Sequence, residues 1–231
     1  MRQLPILIFI FLTLLYRPEH ALAAIGCTLS NPAQDLKYLF PEMTSYKEEV
    51  KEFGRLPDGK ELYSGIPARI GGELDPIYEG FETPFTVYTI FRTEELIGVV
   101  HGVNVPGRGG VIQVFLSTDP KDGTIRQLFF QRIESSAAKA LRRPDFRNQF
   151  TGLSLRDFYK HDYYSVAGSG SVEDKVSAIK SPPLDEESLV DYKAVIRGTK
   201  KNLVLLDFFV YGRASEAFFA RAQEALKAKG Q

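Results

Sequence analysis

Residues 84–133 hold four strand-like runs joined by turns too short for a crossover. Residues 85–91 alternate and are rich in β-branched and aromatic side chains, the pattern of a half-buried strand. A second run, 95–104, follows the turn at Thr93-Glu94. A third, 111–117, follows Pro106-Gly107-Arg108-Gly109-Gly110, and a fourth, 124–133, follows Asp119-Pro120-Lys121-Asp122-Gly123. Neighbouring strands joined this tightly have to run antiparallel, because a parallel pair needs a long crossover.

The flanks read as helical. Ser30-Asn31-Pro32 is a helix start, a capping side chain before a first-turn proline, and it predicts a short helix over 35–40 stopped by Pro41. Residues 46–53 fit a helix or an entering strand equally well. Residues 56–72 read as irregular, with one helical turn near 60–63. Helical character returns at 135–143, at 154–159 behind Ser154, and at 173–179. Leu189, Tyr192, Val195, Ile196, Leu203, Leu206 and Val210 recur at three-and-four spacing, which predicts a long amphipathic helix over 185–211 with an acidic start and a bend at Gly198. A last helix is expected over 215–229. The expected fold class is therefore α+β: an antiparallel sheet packed by helices, with a C-terminal helical extension after the Pro182-Pro183 boundary. Residues 24–181 would form the main domain, and 182–231 an extension packed on it.

Residues 1–23 have the form of an export signal. Arg2 precedes an apolar run, 4–16, that is well short of the roughly 20 residues a spanning helix needs. Ala21-Leu22-Ala23 supplies a small-x-small cleavage site. The rest of the chain is then expected in the periplasm or another extracytoplasmic space. Two alternatives stay open: a lipid anchor on Cys27, disfavoured because Arg17, Glu19 and His20 intervene, and a membrane anchor formed by uncleaved residues 4–16. Without the leader, 27 basic side chains face 28 acidic ones, a net charge of −1. Such a balance gives no field for nucleic acid. Cys27 is the single cysteine, so no intrachain disulfide or dithiol exchange is available. An apolar fraction of 44% suffices for a packed core.

Much chemistry is excluded. Beyond the leader only His101 and His161 remain, without metal-ligand spacing, so no metal site is expected. No nucleophile elbow, Walker loop or dinucleotide fingerprint occurs. The turn Gly107-Arg108-Gly109-Gly110 lacks the last glycine of that fingerprint and precedes a strand, whereas the fingerprint must precede a helix. Asp119 and Asp122 suit turn geometry. Arg142, Arg143 and Arg147 form either a solvated helix face or a phosphate clamp.

The ordered set Ile97-Gly98, His101-Gly102, Gly107-Arg108-Gly109-Gly110-Val111-Ile112, Asp119 to Gly123, Glu134-Ser135 and Gln149-Phe150-Thr151-Gly152 resembles the flavin-mononucleotide-binding domain family. That family includes the flavin-carrying subunits of Rnf and sodium-pumping NADH:quinone reductase complexes. The resemblance covers about a quarter of the chain. It implies FMN beside the glycine turn, with His101, Gly102, Arg108, Gly109, Gly110, Ile112, Glu134, Ser135, Gln149 and Gly152 as candidate cofactor contacts, joined by Ser169 and Ser171. The attachment motif Ser-Gly-Ala-Thr is absent. Its nearest counterpart is Ser169-Gly170-Ser171-Val172, and valine has no hydroxyl to esterify, so attachment through that position is excluded; Ser169 and Ser171 could substitute only out of register, and the expectation is a noncovalent flavin or a fold that has lost it.

These expectations describe an exported electron carrier serving a membrane redox complex or exported cytochrome, with the chemistry in the flavin and no catalytic residue in the protein. His101 and Arg108 would stabilise a reduced anionic ring. The competing reading is a non-enzymatic interaction module that has lost flavin, docking a partner or a second copy through its C-terminal helices. A flavin-dependent reductase is the third.

Overall fold

A single antiparallel sheet carries the strands in chain order, β1-β2-β3-β4-β5. They are β1 (Ser45–Lys51), β2 (Phe85–Arg92), β3 (Glu95–Gly107), β4 (Gly110–Thr118) and β5 (Ile125–Ile133). The computed structural model describes residues 26–168 and 173–230. The open region 46–53 is thus a strand as far as Lys51, largely exposed at the sheet edge, and Phe53 opens a 3-10 turn. Charged Lys47, Glu48, Glu49 and Lys51 suit that place, since charge on an edge discourages pairing with another chain. β3 and β4 form a hairpin closed by Arg108 and Gly109, in the register Gly107↔Gly110. Gly110 has φ 136°, a conformation side chains rarely adopt.

Strand periodicity gives the sheet two different faces. One is covered by α1 (Pro32–Leu39) and the segment before it, with Leu36, Leu39, Phe40, Tyr88, Val100 and Phe115 packed together. Asn31 caps α1 as expected, accepting the Gln34 N–H at 3.4 Å. Two glycines of β3 are needed on this face. A side chain at Gly98 would collide with the Phe40 ring, and one at Gly102 with the Phe115 ring. Both positions therefore accept an aromatic ring against bare backbone.

The other face is covered by α7 (Leu189–Phe209), which lies across β3 and β4. Helices α2 (Gly59–Ser64), α3 (Ile66–Ile70) and α6 (Leu155–Ala167) surround it, and α8 (Glu216–Ala228) packs on α6. Between β5 and α6 the chain makes two single turns, α4 (Ala138–Leu141) and α5 (Pro144–Arg147). The main core, including Val103, Val105, Ile112, Val114, Leu116 and Leu203, lies between this face and α7. At Gly198 α7 lies close on the sheet: an added Cβ would stand 3.2 Å from Val105 and Val114. The role of this glycine is close approach.

The antiparallel α+β architecture and the C-terminal helices agree with the sequence, and several boundaries differ. Residues 56–72 contain two helices, α3 ending at left-handed Gly71. The helix behind Ser154 runs on to Ala167, its first turn fixed by Asp157, which accepts the Ser154 N–H at 2.8 Å and hydroxyl at 2.7 Å. Residues 135–143 are helical only over α4. Residues 173–179 are turns: Asp174 accepts the Ser177 N–H at 3.1 Å in the manner of a cap, but no regular helix follows.

Candidate functional site

The hairpin tip is anchored by one carboxylate that the sequence reading passed over. Asp191, in the first turn of α7, is fully buried. It accepts the Arg108 N–H at 2.6 Å and the Ser135 hydroxyl. Ser135 Oγ in turn accepts the Ala137 N–H at 3.0 Å. The tip, the chain leaving β5 and the start of α7 are thereby held together. The only sequence signal was an acidic residue near a helix start, which the helix dipole explains equally well.

Most expected cofactor contacts have other duties. At Gly109 an added Cβ would run into the Glu134 carbonyl, and at Gly110 into the Glu134 carboxylate. Glu134 Oε2 also accepts the Val111 N–H at 3.2 Å. On the side where side chains would project, the bend is filled by the chain itself and leaves no room for a ring. Arg108 extends to an ion pair with Glu187. Ile112 is buried in the main core. Gln149 clasps residue 180 in both directions, donating to its carbonyl (3.1 Å) and accepting its N–H (2.8 Å). Gly152 occupies a left-handed turn with open space around it. Ser169 and Ser171 lie outside the described residues.

His101 and Gly102 are neighbours on a strand and so point to opposite faces. His101 is fully buried under α7. Asn202 donates its amide to the carbonyls of His101 (2.9 Å) and Val114 (3.1 Å). Its Oδ1 therefore accepts from His101 Nδ1 at 2.8 Å, which puts the proton on Nδ1. Nε2 is left buried without a partner among the described residues. Burial, opposed by the Asn202 bond and aided by nearby Lys201, lowers the His101 pKa to about 4. The expectation that His101 would steady a reduced ring is met by a neutral imidazole facing the helix.

The three arginines also diverge. Arg142 donates to the carbonyls of Phe130 and Gln131, tying α4 to β5. Arg143 pairs with Asp145 at 2.8 Å in solvent. Arg147 Nε is buried without a partner among the described residues. They do not converge as a clamp. Asp119 and Asp122 perform the turn duties expected of them, accepting from the N–H groups of Lys121 and Thr124, each at 2.9 Å.

Beside the clasped tip, a cleft of about 440 Å³ opens between α4 and the chain entering α7. Ala137, Ala140, Pro183 and Leu184 give it apolar walls. Ser136 and Ser188 face each other with hydroxyls 3.3 Å apart, and Lys139 and Arg143 stand on the lining. Asp185 is the one carboxylate there; Ser188 bonds hold it below the usual carboxylate range. The Glu134-Ser135 segment thus borders a cleft, but the cleft belongs to the residues that follow it.

Cys27 is buried, and desolvation pushes its thiol up to about 12, against the pull of Lys201. Among the described residues no group of acidic, histidine and cysteine side chains could hold a metal ion, and no helix is long and apolar enough to cross a membrane. No protein-family model and no curated protein matches this chain.

Proposed function

We propose that this chain is an exported carrier that holds FMN noncovalently in the cleft between α4 and the start of α7, and that it exchanges electrons with a membrane redox complex or exported cytochrome. The observation that carries the reading is the donor set of that cleft. A tricyclic ring needs apolar walls, which Ala137, Ala140, Pro183 and Leu184 offer. A phosphate needs cations: Lys139 offers one, and Arg143 a second that would have to turn from Asp145. The hydroxyls of Ser136 and Ser188 are suited to the polar chain between them. Its volume lies within the range of small-molecule sites, about 300–1,000 Å³.

The bound flavin would supply the redox chemistry, and the protein would supply position and electrostatics. Ala137 and Leu184 would exclude water from one side of the ring. Asp191 would act as a positioning residue, because it fixes Ser135 and, through Ser135 Oγ, the Ala137 N–H. The glycines of the hairpin would serve indirectly, by letting Glu134 fold back against the tip and leave the cleft clear.

Titration of the folded protein with FMN and with riboflavin tests this, read by quenching of flavin fluorescence. FMN should bind the more tightly, and Lys139→Glu with Arg143→Glu should remove that advantage while leaving riboflavin binding little changed. Equal affinity for both ligands, unaffected by the double substitution, would refute a phosphate seat in this cleft.

A further inference from the structure

A second cleft, of about 450 Å³, lies on the far side of α7, between that helix, α6 and the loop after it. Its floor is apolar: Ile70, Phe158, Val176, Ile179 and Ile196 all line it. Its polar groups are concentrated and ordered. His161 Nδ1 is held by the buried Asp174 carboxylate at 2.9 and 3.0 Å. That bond fixes the imidazole and leaves Nε2 without a hydrogen bond to any described residue. Lys200 Nζ sits between both oxygens of Asp162, at 2.8 and 2.6 Å. Arg197 closes one end through Glu79, and exposed Lys193 stands on the lining.

The charges around this cleft do not cancel. Glu79 alone serves both Arg197 and buried Lys201, each at 2.8 Å. Lys193 has no carboxylate in ion-pair range among the described residues. On the lining itself three cations, Lys193, Arg197 and Lys200, stand with one carboxylate, Asp162, while Asp174 and Glu79 lie behind it. An apolar floor with a positive rim selects a molecule with a hydrocarbon body and one anionic end.

We propose that this cleft binds a small amphipathic monocarboxylate. The hydrocarbon would lie on Phe158, Val176 and Ile196, and the carboxylate would meet the Lys193 ammonium beside His161. A phosphate would leave the floor uncovered, and a neutral alcohol would leave the positive rim unanswered. The site is separate from the proposed flavin cleft: the two share no lining residue.

Binding of hexanoate, 1-hexanol and inorganic phosphate to the full chain tests this, followed by ¹H–¹⁵N and imidazole NMR shifts. Hexanoate should saturate, shift His161 and the amides of Val176 and Ile196, and bind more tightly than either control. Lys193→Glu should weaken it about five- to tenfold, as expected for reversing one exposed charge, with the urea midpoint unchanged. Saturating FMN should not displace it. Hexanoate binding no better than 1-hexanol, full affinity in Lys193→Glu, or displacement by FMN would each overturn the proposal.

Discussion

Glu79 and Lys201 offer the sharpest test of how the helical face is held to the sheet. Both are nearly dry, with side chains 1% and 2% exposed, and they pair at 2.8 Å. Lys201 also donates to the Asn104 carbonyl at 3.1 Å, and Glu79 also receives Arg197 and the Asp75 N–H. Burial lowers the Lys201 pKa against the pull of Glu79. Burial works to raise Glu79, but Arg197 and Lys201 outweigh it and hold the carboxyl below its usual range. Removing one partner of a buried pair costs about 3–5 kcal/mol when the other is left uncompensated. The two single changes are therefore unequal. Glu79→Gln leaves Lys201 charged beside Arg197 with a carbonyl as its main partner, and should cost about 3–5 kcal/mol. Lys201→Met leaves Glu79 paired with Arg197, and should cost about 1–2 kcal/mol, near the price of lost hydrogen bonds. Adding Lys201→Met to Glu79→Gln should restore part of the loss, since only the partly exposed Arg197 is then left without its carboxylate. Urea unfolding reads all four proteins, with midpoints compared at constant slope. Additive losses in the double variant, or a Glu79→Gln cost below about 1 kcal/mol, would refute the reasoning.

Other outcomes follow from single observations. Gly98→Ala should cost about 1–3 kcal/mol, the range for overpacking, because Phe40 occupies the space of the new methyl; an unchanged urea midpoint would contradict the packing. His101 should titrate near pH 4 by NMR. Its depressed folded pKa contributes stability that is present above about pH 6.5 and is lost as pH falls toward about 4; a midpoint near 6.5 in the folded protein would place the imidazole in water. Cys27 should resist aromatic disulfide reagents until urea unfolds the chain, and rapid labelling of native protein would show that the segment at Cys27 opens. Any bound flavin should leave with the small-molecule fraction on denaturation, and colour retained on the chain would contradict noncovalent binding.

The fold was largely legible because its signals are local. Alternation in β2 to β5 and the short turns between them fix antiparallel neighbours without knowledge of distant residues. The three-and-four spacing in α7 survives even though Lys200, Lys201 and Asn202 are buried, because each meets a partner from another part of the chain. Those partnerships were invisible: Asn202 reads as a polar helix residue until His101, a hundred residues away, is placed under it. The glycine turn shows the same limit. Gly109 and Gly110 do mark a close approach, but sequence could not say that the approaching group is Glu134. Over residues 173–179 the expected helix gives way to turns, and the tie of Asp174 to His161 in the preceding helix is a contact no local pattern announces. The cleft beside α4 was missed because its walls are alanines, a proline and a leucine, which carry no pattern of their own.

The most direct test of the flavin assignment is a backbone-amide shift map of the folded protein titrated with FMN. Saturable shifts at Ala137, Lys139, Ala140, Leu184 and Ser188, with Gly102 unmoved on the opposite face of the sheet, are the predicted result. Shifts centred on Gly102 and His101, or no saturable shift anywhere, would contradict it.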